Sequence, residues 1–153
     1  MRSTLQPGLT ATLTYEVRPG RTVPDLLPES AEFAGLPAVL ATGYLVGIVE
    51  WACMRAVNEH LDDGEQTLGV HVDVSHAAPT LPGDVLTVTV ELASVDGRQL
   101  TFTVTAADQV GEVCRGTHRR AVIDRARFED RLATRAMGRP AVRSGAAGRG
   151  DAG

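Results

Sequence analysis

One stretch restricts the fold more than any other. From Pro37 to His60 the chain reads as a single long helix that is apolar on almost every side. Leu40, Tyr44, Leu45, Val46, Ile48, Val49, Trp51, Ala52 and Met54 cover all helical phases, and a helix that is hydrophobic all round is a buried one. Gly43 and Gly47 stand four positions apart and predict close approach of another backbone, despite a helix cost of up to about 1 kcal/mol each. Polar residues return only at Arg55, Asn58, Glu59 and His60, and Asp62-Asp63-Gly64 stops the run. Something must cover this helix, and the rest of the chain offers mainly strands.

Leu9, Ala11, Leu13, Tyr15 and Val17 alternate with threonines and Glu16 and predict a first strand, closed by Pro19-Gly20. Thr22 to Leu36 reads as a loop containing Pro24 and Pro28, with a short helical turn around Glu29–Phe33. After the long helix, four more strands are predicted at Leu68–His76, Val85–Val95, Gln99–Ala107 and Glu112–Ile123. In the first of these, Val70, Val72, Val74 and His76 share one face, and Gly69, His71, Asp73 and Ser75 the other. Asp96-Gly97 signals a two-residue hairpin, and Gly111 marks another turn. Asp124–Ala133 reads as a short amphipathic helix.

A curved antiparallel sheet wrapping one helix buries that helix without other helices. The expected fold is therefore α+β, the arrangement called the hot-dog fold, over residues 1–135. Residues 136–153 are rich in Gly, Ala and Arg, cannot bury a core, and are expected to form a disordered tail. Such a sheet leaves an edge strand open, and pairing with a second copy removes it, so a homodimer is the expected minimum.

Bulk properties exclude several functions. At 153 residues with 43 % apolar content the chain is one domain with a core. The net charge of −4 argues against nucleic acid as a partner. All 15 basic residues are arginine, which excludes Schiff-base lysine chemistry and a P-loop lysine. Cys53 and Cys114 form no CxxC and read as small buried hydrophobes in a reducing compartment. Without a signal-peptide pattern, and with an apolar run at Ala38–Val49 too short to cross a membrane, the expectation is a cytoplasmic chain with no membrane partner. His60, His71, His76 and His118 form no HxH or HxxxH pattern, so no metal is expected.

Glu50 is the residue most in need of explanation. A carboxylate amid apolar neighbours is costly unless it is paired or used; Arg55 or Arg120 could pair with it, or it could serve in a partly dry cleft. His76 ends a strand on its inward face, beside Ala77-Ala78-Pro79. It could be a satisfied core residue or a proton carrier, since imidazole titrates near neutrality. Thr42 could cap the helix, while free N–H groups at that end also favour a developing oxyanion. Thr42 and Glu50 are eight positions apart, about 80° around a regular helix and about 12 Å along it. They could serve one substrate only through a bent entry at Thr42 or through a partner subunit. Arg120 and His118 share a face of the last strand with Val122, where the arginine could be ion-paired or could steady a polar substrate atom.

The stretch from Ala41-Thr42-Gly43-Tyr44 through Val49-Glu50-Trp51-Ala52-Cys53 resembles the central helix of the fluoroacetyl-CoA thioesterase family. The likeness continues through Leu68-Gly69, Val74-Ser75-His76 and Gly116-Thr117-His118-Arg119-Arg120-Ala121-Val122-Ile123. It runs from about Leu9 to Phe128. The resemblance implies a dimeric acyl-CoA thioester hydrolase with catalytic Thr42, Glu50 and His76, needing no cofactor beyond the CoA of its substrate. It also implies that Gly69 and Arg120 lie beside a small acyl group and Phe33 near the pocket entrance. Leu36 stands where the fluoroacetyl-specific enzyme has a second phenylalanine, a change that would reshape the entrance. On this reading Glu50 attacks directly or activates water, His76 acts as acid and base, and Thr42 orients the acyl group or donates to the oxyanion. The alternatives on the same fold are an acyl-CoA hydratase and a non-catalytic acyl-CoA binder.

Overall fold

Alternation along the strands builds the sheet. The computed structural model describes residues 1–138. The strands are β1 (Thr10–Glu16), β2 (Glu65–Val74), β3 (Val85–Asp96), β4 (Gln99–Ala107) and β5 (Glu112–Asp124). They form one antiparallel sheet in the order β1-β3-β4-β5-β2, which leaves β1 and β2 at its edges. Every second residue of the central strands points inward and is buried: Leu86, Val88, Val90 and Leu92 on β3, and Leu100, Phe102, Val104 and Ala106 on β4. Burying a large apolar side chain contributes about 1.5–3 kcal/mol, so this face supplies much of the core.

The shorter helices are α1 (Val23–Leu26) and α2 (Ala31–Ala34), the long one is α3 (Thr42–Val57), and the last is α4 (Arg125–Met137). Helix α3 lays Leu45, Ile48, Val49, Ala52, Cys53, Ala56 and Val57 against the sheet. It begins five residues later than the apolar run suggests. The preceding backbone is recruited elsewhere: the Leu40 N–H donates to the Thr80 carbonyl, that of Ala41 to Arg21, and that of Val23 to the Val39 carbonyl. Those bonds hold the entry extended, and the tail of the run, Asn58–His60, winds into a 3-10 turn.

The expectation of a helix covered on all sides needs correction. One sheet covers one side only, and Trp51 on the other is 47 % exposed. Nor does a backbone pack on the glycines. Gly43 makes room for the Leu26 side chain of α1, while Gly47 faces open space.

Strand β2 also departs from simple alternation. Its register with β5 slips between Gly69 and His71 at a bulge. Gly69 pairs with Arg120 and Val72 with His118, so Gly69 lies on the inner face rather than with His71. A bulge inserts one unpaired residue and re-aims those beside it. Pairing beyond Val74 persists irregularly, with the Ser75 and Ala77 N–H groups donating to the Arg115 and Val113 carbonyls. This places His76 just past the strand.

Smaller differences are local. The β3–β4 turn centres on Gly97-Arg98, one residue later than expected, with Gly97 at φ +55°. Asp124 caps α4 by accepting from the Arg127 N–H, and this helix runs on through Ala136 and Met137, into the expected tail. Residues 139–153, the rest of that tail, lie outside the described residues. Both cysteines are free and buried. No helix among the described residues is long and apolar enough to cross a membrane.

Candidate active site

Two polar clusters sit at different heights along α3. The first is at its N-terminus. Ala41 occupies the capping position and has no side chain to cap with, whereas Thr42 is the first helical residue. The Thr42 hydroxyl is thus not a cap; its Oγ1 lies 2.9 Å from His76 Nδ1 and shares a hydrogen bond with it. The first N–H groups of a helix have no acceptor within it, so this end offers donors and positive potential to an oxygen. His76 is half-buried, and burial pushes its pKa below the usual 6.5, leaving it neutral and able to accept a proton near neutral pH. Its Nε2 is buried without a partner. A cavity of about 270 Å³ opens here, lined by Val23, Val39, Leu40, Thr42, His76 and the Ala77–Pro79 turn.

The second cluster surrounds Glu50, two turns further on. Arg120 Nη1 stands 3.6 Å from Glu50 Oε1 and His118 Nε2 stands 3.7 Å from it. Arg120 and His118 are buried, and Glu50 is 37 % exposed. Arg120 is anchored to β2, donating from Nε to Thr67 Oγ1 and from Nη2 to the Thr67 carbonyl. Burial lowers the Arg120 pKa, an effect the neighbouring Glu50 opposes. Gly69 makes room for the carboxylate, because a Cβ there would lie 2.1 Å from Glu50 Oε1. Of the two partners suggested by sequence, Arg120 is the one that meets Glu50.

The structure therefore brings Thr42 to His76, and Glu50 to Gly69 and Arg120, but it does not bring Glu50 to His76. Helix α3 is regular from Thr42 onward, so the two clusters stay about 12 Å apart along its axis. That removes the bent entry at Thr42 as a way of uniting them. Phe33, on α2, is half-buried, and Leu36, just beyond it, is 50 % exposed. Neither lines the cavity, whose walls come instead from Val23 and Val39 on either side of that segment.

His118 and Thr67 had no assigned place at this site. The alternation of His118, Arg120 and Val122 was a usable signal, but without the bulge at Gly69 nothing linked that face to Glu50. Cys53 is no nucleophile: burial pushes its thiol up to about 12. Among the described residues, no three His, Cys, Asp or Glu side chains converge as a metal site would require. A larger cavity of about 620 Å³ lies between β5 and α4, with Arg98, Arg127 and Arg131 facing Glu65, Asp124 and Asp130. It contains neither cluster.

Solved structures share this architecture. A fluoroacetyl-CoA thioesterase matches with a TM-score of 0.84 and 44 % identity, over 90 % of this chain and 100 % of that one. A thioesterase superfamily member from Thermus thermophilus, at 24 % identity, matches in fold with a TM-score of 0.78 over 90 % of this chain and 99 % of its own. The antiparallel sheet laid over one long central helix is that of a hot-dog thioesterase. The fluoroacetyl-CoA thioesterase of Streptantibioticus cattleyicolor is 46 % identical over 132 residues, 86 % of this chain and 95 % of that protein. The profile of the fluoroacetyl-CoA-specific thioesterases matches residues 24–126, a span that includes both clusters, and the chain belongs to that family.

Proposed function

We propose that the chain is a homodimeric hydrolase of short acyl-CoA thioesters, fluoroacetyl-CoA among them, with each site shared between two copies. The observation that carries this reading is the division of the site. Each chain holds a Thr42–His76 pair and a Glu50–Arg120 pair that a regular helix keeps apart. The uncovered side supports a second copy: Trp51 on α3 and Val70 and Val72 on edge strand β2 are exposed apolar side chains, and exposed apolar surface beside an open strand edge favours pairing with another chain. Antiparallel pairing about a two-fold axis would set the Thr42–His76 end of one helix against the Glu50 level of its partner.

In such a site the first-turn amides and Thr42 hold the thioester oxygen as it gains negative charge. Glu50 either attacks the carbonyl carbon directly, forming an acyl-glutamyl anhydride that a water then cleaves, or deprotonates a water that attacks in its place. The C–S bond breaks, and His76 passes a proton to the departing CoA sulfur. The products are a free acid and CoA. One turnover in ¹⁸O-labelled water tests the two roles of Glu50, since unlabelled acid in the first product requires an anhydride opened at the glutamyl carbonyl, which only direct attack forms. A solved relative carries fluoroacetate and CoA together, which supports the substrate class. Leu36, smaller than phenylalanine, supports weaker discrimination between fluoroacetyl and acetyl groups. The two free buried thiols fit a reducing cytoplasm.

Thiol release from acetyl-, fluoroacetyl- and longer acyl-CoA tests the activity. Release from the two short substrates is expected; release from none would overturn the reading, and loss of enoyl absorbance without thiol would point to a hydratase. Subunit mixing tests the shared site. Inactive E50Q and H76A chains, unfolded and refolded together, should recover about a quarter of the native turnover, because half the dimers are mixed and each has one intact site. No recovery would place all the groups of a site on one chain.

A further inference from the structure

Arg120 faces the Glu50 carboxylate without gripping it: three of its five N–H donors go to other partners and hold the guanidinium back from the acid. Nε and Nη2 go to Thr67 at 2.9 and 2.8 Å, and Nη1 points to His118 Nε2 at 3.2 Å. Glu50 Oε1, 3.6 Å from Nη1, is thus outside the distance of about 2.7–2.9 Å at which charge-assisted hydrogen bonds form. For Nε2 to accept from a guanidinium it must carry no proton, so the imidazole is neutral with its hydrogen on Nδ1. That Nδ1 is buried without a partner in good hydrogen-bonding geometry, and the His71 backbone offers it only a partial interaction, which favours the proton-bearing ring. A buried donor left open costs stability, and such exceptions call for a reason.

We propose that His118 is a positioning residue for thioester hydrolysis: its imidazole takes one Nη1 hydrogen of Arg120 and holds that nitrogen 3.6 Å from Glu50 Oε1, so the guanidinium steadies Glu50 by charge and leaves both carboxylate oxygens free for the reacting atoms. This rests on Glu50 delivering the oxygen, as proposed above. The surroundings keep His118 in its accepting form, since burial and then the Arg120 charge push its pKa down, against the pull of Glu50. Gly69 completes the fit, because a Cβ there would stand 3.1 Å from His118 Cε1 as well as overlapping the carboxylate. Without the imidazole acceptor, Nη1 needs to move less than about 1 Å to donate to Glu50. The carboxylate would then be tied down and less able to attack or to take a proton.

The test compares H118L, which keeps bulk but has no acceptor, with H118Q, whose amide oxygen can accept from Nη1. H118L should lower kcat about tenfold or more, the scale of one charge-assisted hydrogen bond, with KM changed less than about twofold. H118Q should restore most of the lost kcat. Undiminished kcat in H118L, or an H118Q as slow as H118L, would overturn the proposal. Should H118L fail to fold, ¹⁵N NMR of the native enzyme decides: a bare Nε2 and a protonated Nδ1 at neutral pH are expected, and a proton on Nε2 overturns it. An E50Q variant with full turnover would instead remove the underlying reading of Glu50. An inactive E50Q beside a normal H118L would sink the His118 role alone.

Discussion

The two polar clusters along α3 differ in how firmly the fold grips them. Around Glu50, Arg120 is anchored twice to β2 and backed by a fully buried imidazole. At the helix start, Thr42 is exposed and His76 half-buried, and one hydrogen bond joins them beside an open cavity. The difference matches the roles proposed for Glu50 and His76. A carboxylate that delivers oxygen must be aimed, and aiming comes from buried neighbours with fixed rotamers. A proton carrier must exchange with a leaving group and so needs access and some freedom.

That contrast can be broken at either end. The largest effect is expected at Gly69. In Gly69→Ala the new methyl would overlap Glu50 Oε1, and since a misplacement of about 1 Å can cost about 10²-fold, kcat should fall by that order. The melting temperature should change little, because Glu50 borders the open side. Steady-state kinetics and calorimetry on the same sample check both halves. Undiminished turnover would mean that the carboxylate does not need its present position.

A smaller change is expected at the loose end. Thr42→Val removes a single neutral hydrogen bond, worth about 0.5–1.5 kcal/mol net, so thiol release should slow about two- to tenfold. A loss as large as that of H76A would show that the hydroxyl, not the first-turn amides, carries most of the hold on the oxyanion.

The smallest effect concerns stability. His76 and His118 both have pKa values pushed below 6.5, chiefly by burial. The unfolded chain takes up protons near 6.5 that the folded chain refuses, so it binds more protons below that value, and stability falls as the pH drops through it. Unfolding midpoints in urea from pH 8 to 5 should decline below about 6.5, and the decline should shrink in H76A. A flat profile would mean that neither imidazole is held neutral by the fold.

Strands were the readable part of this sequence. Period-two alternation locates β3, β4 and β5 to within a residue or so, and β4 at Gln99–Ala107 coincides with its expectation. Helix α3 was legible as an element but not in its start, because the competing acceptors at Thr80 and Arg21 come from remote parts of the chain. Its covering was misjudged for a related reason: apolar residues on every side record everything the helix touches, and one sheet supplies half of that. Of the candidate site, Thr42, Glu50 and His76 are singled out by residue type and by family resemblance. The inward turn of Gly69 could not, since a bulge leaves no trace in an alternating pattern, and with it went the link between His118 and the acid.

The deep placement of both sulfhydryls has a practical corollary. A thiol held up near 12, as at Cys53, has almost no thiolate at neutral pH. Disulfide dyes used to count liberated CoA should therefore find no competing target on the folded protein. A dye signal before any acyl-CoA is added would measure the fraction of molecules that have come unfolded, and so each assay carries its own internal check on the preparation.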